Sequence, residues 1–505
     1  MYHFTKKELY LLGGLAALLV PAVLINTGLP QLYGEEPRRA VVALEMLLRN
    51  NWIVPTINGE SYFLKPPFFN WILASIYHIT GDLSEFNTRI ITIVSFITFG
   101  FVIFFTGRKY VSLTFGLLSS LFFMTAAGNL FFNSLLAEID MFYSLVTYSG
   151  LICLFHFQRQ KQYYLLFLTV YLLGAIGVLT KGAPSLVFTG LSLLVFFIVM
   201  KEFRKLFSLA HLTGILLFLG ITGGYFYAYS RQGDVLQYLL SLSVESGKRF
   251  SGETFRDYLL HIVLYPLDTL MNLLPASVLI IFTFRRSFPE IIRGNSLIKF
   301  ALLMVVVHFP VYWLPPGSKQ RYILMLYPFI IQIMTYFFLV YLPGKKMQTK
   351  LVRYAILALF AMAAFRLAFN LTVLPARAIL GVAPQNQQAA FDILETGKGR
   401  QVYIYKSTYL PMQTIFYFER ERTEIMPVAH APVHGEIHIV EKILLQEYQI
   451  YRDLTELAQH SARPVAVPGE HIPPDELTWM EYEVVSEPVI QKRKYVLLIP
   501  ARPHP

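Results

Sequence analysis

Long apolar runs separated by short polar connections fill the first three quarters of the chain. A run of about 17–25 apolar residues crosses roughly 30 Å of hydrocarbon as a helix. Eleven such runs are read at 8–26, 86–106, 110–127, 134–157, 163–180, 184–200, 208–229, 261–284, 298–314, 321–342 and 352–373. The stretch 66–80 opens on Pro66-Pro67 and holds Asn70, Trp71 and His78. It reads as a re-entrant or interfacial helix, with a twelfth span as the alternative. The first run is not read as a cleaved signal, because it lacks a small-residue cleavage site and more spans follow. After about 374 the pattern changes. Strand-like runs at 401–405 and 495–499 alternate with a helical run from Ile443 to Leu457. The prediction is an α-helical polytopic membrane protein of about 11–13 spans over 1–373, with a small soluble α/β domain over 374–505.

Composition strengthens the membrane reading. Only 15% of the 505 residues are charged and 55% are hydrophobic, whereas a soluble domain carries about 25% charged residues. The single Cys excludes an internal disulfide framework and any multi-Cys metal site. The net charge of +11 is largely topological. Basic residues recur in every second connection: Lys6-Lys7, Arg108-Lys109, Arg159 with Lys161, Lys201 with Arg204-Lys205, Arg285-Arg286 with Arg293, and Lys345-Lys346 with Lys350. The positive-inside rule turns these loops and the N-terminus to the cytoplasm. That distribution, with no nucleic-acid motif, gives no nucleic-acid partner. The opposite connections, 27–85, 128–133, 181–183, 230–260 and 315–320, together with the tail, then lie outside. In a bacterium that is the periplasmic face of the inner membrane.

Unusual charges gather in those outer connections. Tyr33-Gly34-Glu35-Glu36-Pro37-Arg38-Arg39-Ala40 places two acids before a Pro that suits the start of a helix reaching about Asn50. Carboxylates at a helix N-terminus are stabilised as anions. They serve either a general base or an ordinary capped surface helix. Lys65 is fixed ahead of Pro66-Pro67, where it either snorkels to the interface or faces a ligand. At the outer end of the fourth span, Glu138 and Asp140 are expensive in a membrane and call for a cavity or a partner. Asp140, about one turn into that helix, needs the partner more; a structural pair with Arg or Lys and a direct catalytic duty both fit.

Lys181, Lys319 and Arg321 are cations on the side where the positive-inside rule disfavours them. With Lys65, Arg38 and Arg39 they form a set suited to phosphate. The 230–260 connection, which carries the polar stretch 245–252, is either a lid over the cavity or a polar linker. His430, His434 and His438 repeat every four residues, but Pro432 and Gly435 interrupt any helix that would align them on a metal.

An acidic loop, outer-face cations and a multi-span cavity suggest group transfer involving a lipid phosphate. No GxxxxGK[ST] or GxGxxG stretch offers a nucleotide site. Breaking a sugar–phosphate bond builds negative charge on the leaving phosphate, which preorganised cations stabilise. A carboxylate takes the acceptor proton. Two rival readings use the same residues: a transporter or flippase of lipid-linked sugars, and a scaffold whose tail binds a partner.

The ordered pieces from Glu35 to Tyr322 resemble the glycosyltransferase-C superfamily, over about residues 30–330. The nearest branch looks like the bacterial aminoarabinose transferases and protein mannosyltransferase-like enzymes of families 39 and 83. In that family the first outer loop reads Asp-Glu-x-Arg-Tyr-Ala, with its Asp taken as catalytic. The matching residue is Glu35, followed by Glu36, with Arg38 at the family Arg and Arg39 at the Tyr. Tyr62-Phe63-Leu64-Lys65-Pro66-Pro67 resembles the family stretch Tyr-Phe-Glu-Lys-Pro-Pro, whose Lys contacts donor phosphate. Leu64 replaces a Glu that ligates a metal in the aminoarabinose transferases, and 245–256 holds no His for their second ligand. The family's divalent metal therefore stays open as a cofactor without its usual ligands, no metal site is assigned, and the cations would do its electrostatic work.

The resemblance implies an inverting single displacement from a polyprenyl-phosphate sugar to a lipid, protein or glycan acceptor, lipid A among them. It implies Glu35, Glu36 and Asp140 as catalytic residues. Donor and phosphate contacts fall to Arg38, Lys65, Lys181, Lys319, Arg321 and Tyr322, and the tail becomes an exoplasmic domain. The mechanism requires these side chains to share one wet chamber opening away from the cytosol.

Overall fold

The computed structural model describes residues 4–247, 254–282, 294–341, 345–380, 383–406, 408–446 and 482–500. The helices in chain order are α1 Lys6–Leu24, α2 Glu36–Leu48, α3 Phe68–Thr80, α4 Glu85–Tyr110, α5 Leu113–Thr125 and α6 Ile139–Arg159. They continue with α7 Tyr163–Lys181, α8 Ala183–Val199, α9 Leu209–Ser230, α10 Val235–Gly247 and α11 Phe255–Asn272. The last are α12 Ser296–Trp313, α13 Tyr327–Tyr341, α14 Lys345–Leu380, α15 Ala383–Thr396 and α16 Met412–Arg422. The chain divides into two compact units. One comprises Met1–Leu29, Phe63–Leu73 and Ser84–Pro375; the other comprises Pro30–Tyr62, Ala74–Leu83 and Ala376–Pro505.

The first unit is a helical bundle. Among the described residues, eight helical segments are long and apolar enough to cross a membrane, and they answer eight of the eleven predicted runs. The runs at 110–127 and 184–200 form the shorter apolar helices Leu113–Thr125 and Ala183–Val199. The run at 261–284 is corrected: α11 stops at Asn272, and Ala276–Phe282 forms a separate 3₁₀ segment beyond Pro275. A ring-locked Pro cannot donate to the helix ladder, which separates the two apolar halves.

Without water between them, membrane helices associate through close packing, so small residues mark their crossings. At Gly116 of α5 a Cβ would lie 2.6 Å from the Phe104 carbonyl of α4, so the two backbones touch there. The core continues through a chain of rings, Phe123–Phe99 at 4.5 Å, Phe99–Tyr148 at 5.3 Å and Tyr148–Phe329 at 4.8 Å.

The second unit is α/β. Its strands are β1 Thr56–Ile57, β2 Glu60–Ser61, β3 Val402–Tyr405, β4 Val428–Ala429, β5 Ile437–Glu441, β6 Tyr482–Ser486, β7 Val489–Ile490 and β8 Arg493–Pro500. β1 and β2 form an antiparallel hairpin. The main sheet runs β4-β3-β5-β8-β6. β3 is parallel to β4 and β5, whereas β8 is antiparallel to β5 and β6. Both predicted strand runs are present; the helical run to Leu457 extends outside the described residues. Helix α2 buries Ala40, Val41 and Leu44 against Ile393, Ile415 and Phe416. These apolar positions recur at i, i+1 and i+4, one face of a helix. Asn58 Nδ2 donates to the Met426 carbonyl at 2.8 Å, tying the hairpin to the tail.

Candidate functional site

The helical unit draws its charged residues to one place through a hairpin. Lys161, with φ of 57°, turns the chain between α6 and α7. Asp140 precedes that turn by 21 residues and Lys181 follows it by 20. At about 1.5 Å per residue both reach the same level, about 30 Å from the turn. Lys181 Nζ there donates to Asp140 Oδ1, and both side chains are buried. Helix dipoles favour the arrangement, since an acid sits at the N-terminus of α6 and a cation at the C-terminus of α7. Gly182, at φ 79°, supplies the turn from Lys181 into α8 that a side-chain-bearing residue would strain.

Glu138 is the extended residue that precedes α6, so Asp140 lies in the first turn of that helix rather than one turn into it. The reason is local: Asn129–Asn133 forms a π-helical turn, and the predicted helix start at 134 is displaced to Ile139. A 3₁₀ segment, Gln320–Leu326, brings Arg321 to the same place. Arg321 Nη1 donates to Glu138 Oε2 at 2.6 Å, and its Nε lies 3.8 Å from Asp140 Oδ2. Two tyrosines flank Lys181, with Nζ 4.8 Å from the Tyr143 ring and 5.1 Å from the Tyr322 ring.

Lys65 enters from the segment before α3. Its carbonyl accepts from Tyr238 Oη at 3.1 Å, and Phe68 stacks on Phe142 of α6 at 6.0 Å. Its charge joins those of Lys181 and Arg321 in acting on Asp140. Among the described residues, Lys181 and Arg321 thus pair with Asp140 and Glu138, and Lys65 lies near enough for its charge to act on Asp140. Beside this cluster, Leu64 and the α10 residues Leu236, Leu240 and Val244 line a groove of ≈ 460 Å³ with Asp234, Gln237 and Ser241. Lys319 is exposed, and its carbonyl accepts from Tyr265 Oη at 3.5 Å. Among the described residues Lys319 pairs with no carboxylate.

The α/β unit carries the first-loop acids. Glu35 precedes α2 without capping it through its side chain, and Pro37 sits in the first turn as predicted. Glu35 Oε2 accepts from Arg38 Nη1 at 2.5 Å and lies 3.7 Å from Arg39 Nη2. Arg39 Nη1 donates to Tyr62 Oη at 3.0 Å. Glu36 is buried, and its carboxylate accepts from the Tyr33 amide at 2.8 Å. The two acids therefore occupy different settings, one partly exposed beside arginines and one facing inward.

Sequence reasoning missed a second buried acidic pair in this unit. Glu45 of α2 accepts from Thr56 Oγ1 at 2.6 Å and from the Asn58 and Gly59 amides at 2.5 and 3.1 Å. Glu419 of α16 accepts from the Met426 amide at 3.0 Å, while its Oε2 is buried without a hydrogen-bond partner. Burial, and then the neighbouring Glu45 charge, push the Glu419 carboxyl well above the ordinary carboxylate range; burial raises Glu45 as well. A carboxyl raised on folding holds its proton more tightly in the folded state than in the unfolded one. Its stabilisation is then full below the unfolded value and is lost as pH rises through the folded one. Glu419→Gln should therefore stabilise the protein more at pH 8 than at pH 5, by on the order of 1–2 kcal/mol, and raise the melting temperature more at the higher pH. Melting curves of both proteins at the two pH values check this. The visible signal was each acid's place in an apolar helical run, Val41–Leu48 and Ile415–Phe418.

The three histidines do not form the metal face that their spacing suggested. His430 pairs with Glu60 at 2.6 Å on the surface, whereas His438 is buried in β5 and accepts from the Val433 amide. Among the described residues no group of three His, Cys, Asp or Glu side chains could hold a metal ion. Leu64 offers no ligating atom, and the segment 248–253 lies outside the described residues.

A family model for dolichyl-phosphate-mannose-protein mannosyltransferase matches residues 64–223, which include Lys65, Asp140 and Lys181. The chain is 29% identical over 196 residues to undecaprenyl phosphate-alpha-4-amino-4-deoxy-L-arabinose arabinosyl transferase 1 of Proteus mirabilis, covering 38% of this chain and 35% of that protein. The match thus spans about a third of that relative's length. An uncharacterized protein of Aquifex aeolicus is 24% identical over 443 residues, 86% of this chain and 93% of its own. Among solved structures, ArnT from Cupriavidus metallidurans bound to undecaprenyl phosphate superimposes with a TM-score of 0.65 at 15% identity, covering 96% of this chain and 97% of that one. At that identity the likeness is one of fold. The chain is thus similar in fold to ArnT over nearly its whole length, and the part of it that carries Lys65, Asp140 and Lys181 is similar to the dolichyl-phosphate-mannose-protein mannosyltransferase family.

Proposed function

We propose that the chain is an integral-membrane glycosyltransferase that takes a sugar from a polyprenyl-phosphate carrier and passes it to a hydroxyl acceptor. The observation that carries this reading is the pairing of Lys181 and Arg321 with Asp140 and Glu138 at one end of the bundle, with the Lys65 charge acting on Asp140. Positive charge fixed in place by ion pairs is preorganised for a phosphate as negative charge develops on it. The groove between Leu64 and α10 supplies apolar wall beside Lys65 for an isoprenoid chain.

In the reaction the acceptor oxygen forms a bond to the anomeric carbon while the bond to the phosphate oxygen breaks. The electron pair leaves on the polyprenyl phosphate, where Lys65 and Arg321 meet it. Glu35 takes the acceptor proton, oriented by Arg38. Asp140 is a positioning residue that holds Lys181 and Arg321. The anomeric centre inverts in this single displacement. Leu64 brings no side-chain ligand, and no group of three His, Cys, Asp or Glu among the described residues could hold a metal ion, so no step is routed through one.

The cluster lies at the end of α6 and α7 opposite Arg159 and Lys161. With those basic residues in the cytoplasm, the reaction takes place at the periplasmic face of a bacterial inner membrane. The acceptor is a lipid, a protein hydroxyl or another glycan. The assay is release of free polyprenyl phosphate from a polyprenyl-phosphate sugar by the purified protein. Wild type should turn over, and Lys65→Gln should raise the apparent KM by roughly tenfold to hundredfold, the worth of a charge-assisted hydrogen bond. No release from any donor would defeat the proposal.

A further inference from the structure

The two ion pairs of the cluster differ in their access to water. The side chains of Lys181 and Asp140 are 4% and 8% exposed, whereas those of Arg321 and Glu138 are 27% and 17% exposed. A pair sealed from water cannot separate without leaving a buried charge uncompensated. A pair in contact with water exchanges partners at much smaller cost.

The Arg321 fork is only partly engaged. Nη1 serves Glu138, while Nε is buried without a hydrogen-bond acceptor, 3.8 Å from Asp140 Oδ2. A guanidinium gains most from an acceptor that takes two parallel N–H bonds, as a phosphate does. Arg321 is therefore held in place by an anion that satisfies it incompletely.

We propose that Glu138 is a placeholder for the donor phosphate. It holds Arg321 before the donor binds, yields it to the phosphate of a polyprenyl-linked ligand, and retakes it when the product leaves. This rests on the reading of Arg321 as a phosphate contact. Glu138 is then a positioning residue that sets the balance between capture and release. The competition lowers the affinity for both donor and product by the strength of the pair that must be broken. It also spares the site an unpaired guanidinium between turnovers. Asp140 cannot play this part, because its partner Lys181 is sealed with it.

The test measures binding of a polyprenyl phosphate in detergent to wild type, Glu138→Gln, Glu138→Asp, Arg321→Gln and the Glu138→Gln/Arg321→Gln double variant. Both Glu138 variants should bind about threefold to tenfold tighter than wild type, with slower dissociation. In turnover, KM and kcat should fall together. In the Arg321→Gln background Glu138→Gln should change nothing. A purely structural Glu138 would instead weaken binding on removal. Should wild type bind and a folded Glu138→Gln bind equally or more weakly, the placeholder role is overturned while the phosphate reading stands. If the Gln variant does not fold, Glu138→Asp decides by the same criterion. A wild type that binds no polyprenyl phosphate overturns both.

Discussion

Asp140→Asn should cost the helical unit about 3–5 kcal/mol, because it strands the Lys181 ammonium in a buried site. The Lys181 side chain is 4% exposed, so water cannot replace the lost carboxylate. The Tyr143 and Tyr322 rings offer some compensation through their faces, but an aromatic face recovers only about 0.5–2 kcal/mol. Removing both charges, as in Asp140→Leu/Lys181→Met, should restore most of the loss, since replacing a buried pair with packed apolar residues is often close to neutral. Denaturant titration in detergent of the single and double variants checks this. A single variant as stable as wild type would mean that the pair is not sealed.

Glu35→Gln should lower turnover by about 10²–10⁴-fold, the usual cost of losing a general base, while donor binding and folding hold. Its carboxylate is 35% exposed and makes no capping hydrogen bond to α2, so little stability depends on it. Its partners, Arg38 at 2.5 Å and Arg39 at 3.7 Å, both leave from α2, so the acid is oriented by its own helix. Glu35→Asp should retain part of the activity, because the same group returns one methylene shorter. Initial rates of polyprenyl phosphate release, with binding measured alongside, separate the base from a binding residue. Equal rates for Glu35→Gln and wild type would remove Glu35 from the chemistry.

The helical unit was largely legible because its signals are local. Apolar run length located the spans, and the α6–α7 hairpin register follows from two helices of nearly equal length about Lys161. The partner that Asp140 required could be anticipated from the cost of burying an acid, and Lys181 was already in view. The run at 261–284 failed because apolar content does not register that Pro275 breaks a helix. The α/β unit was legible in its strands but not in its long-range joins. Asn58 and Met426 are 368 residues apart, and the Glu45–Glu419 pair depends on that join. No periodicity in either segment names the other. Glu138 was visible as an acid, but its partner was not, because Arg321 arrives on a 3₁₀ segment whose geometry the apolar pattern hides.

The most direct measurement is the affinity of unsubstituted polyprenyl phosphate for wild type and for a Lys65→Gln/Arg321→Gln double variant of preserved fold. The cation cluster predicts a loss of about a hundredfold or more, as two charge-assisted contacts disappear. Equal affinities in the two proteins would contradict it, and the phosphate would have to be held elsewhere.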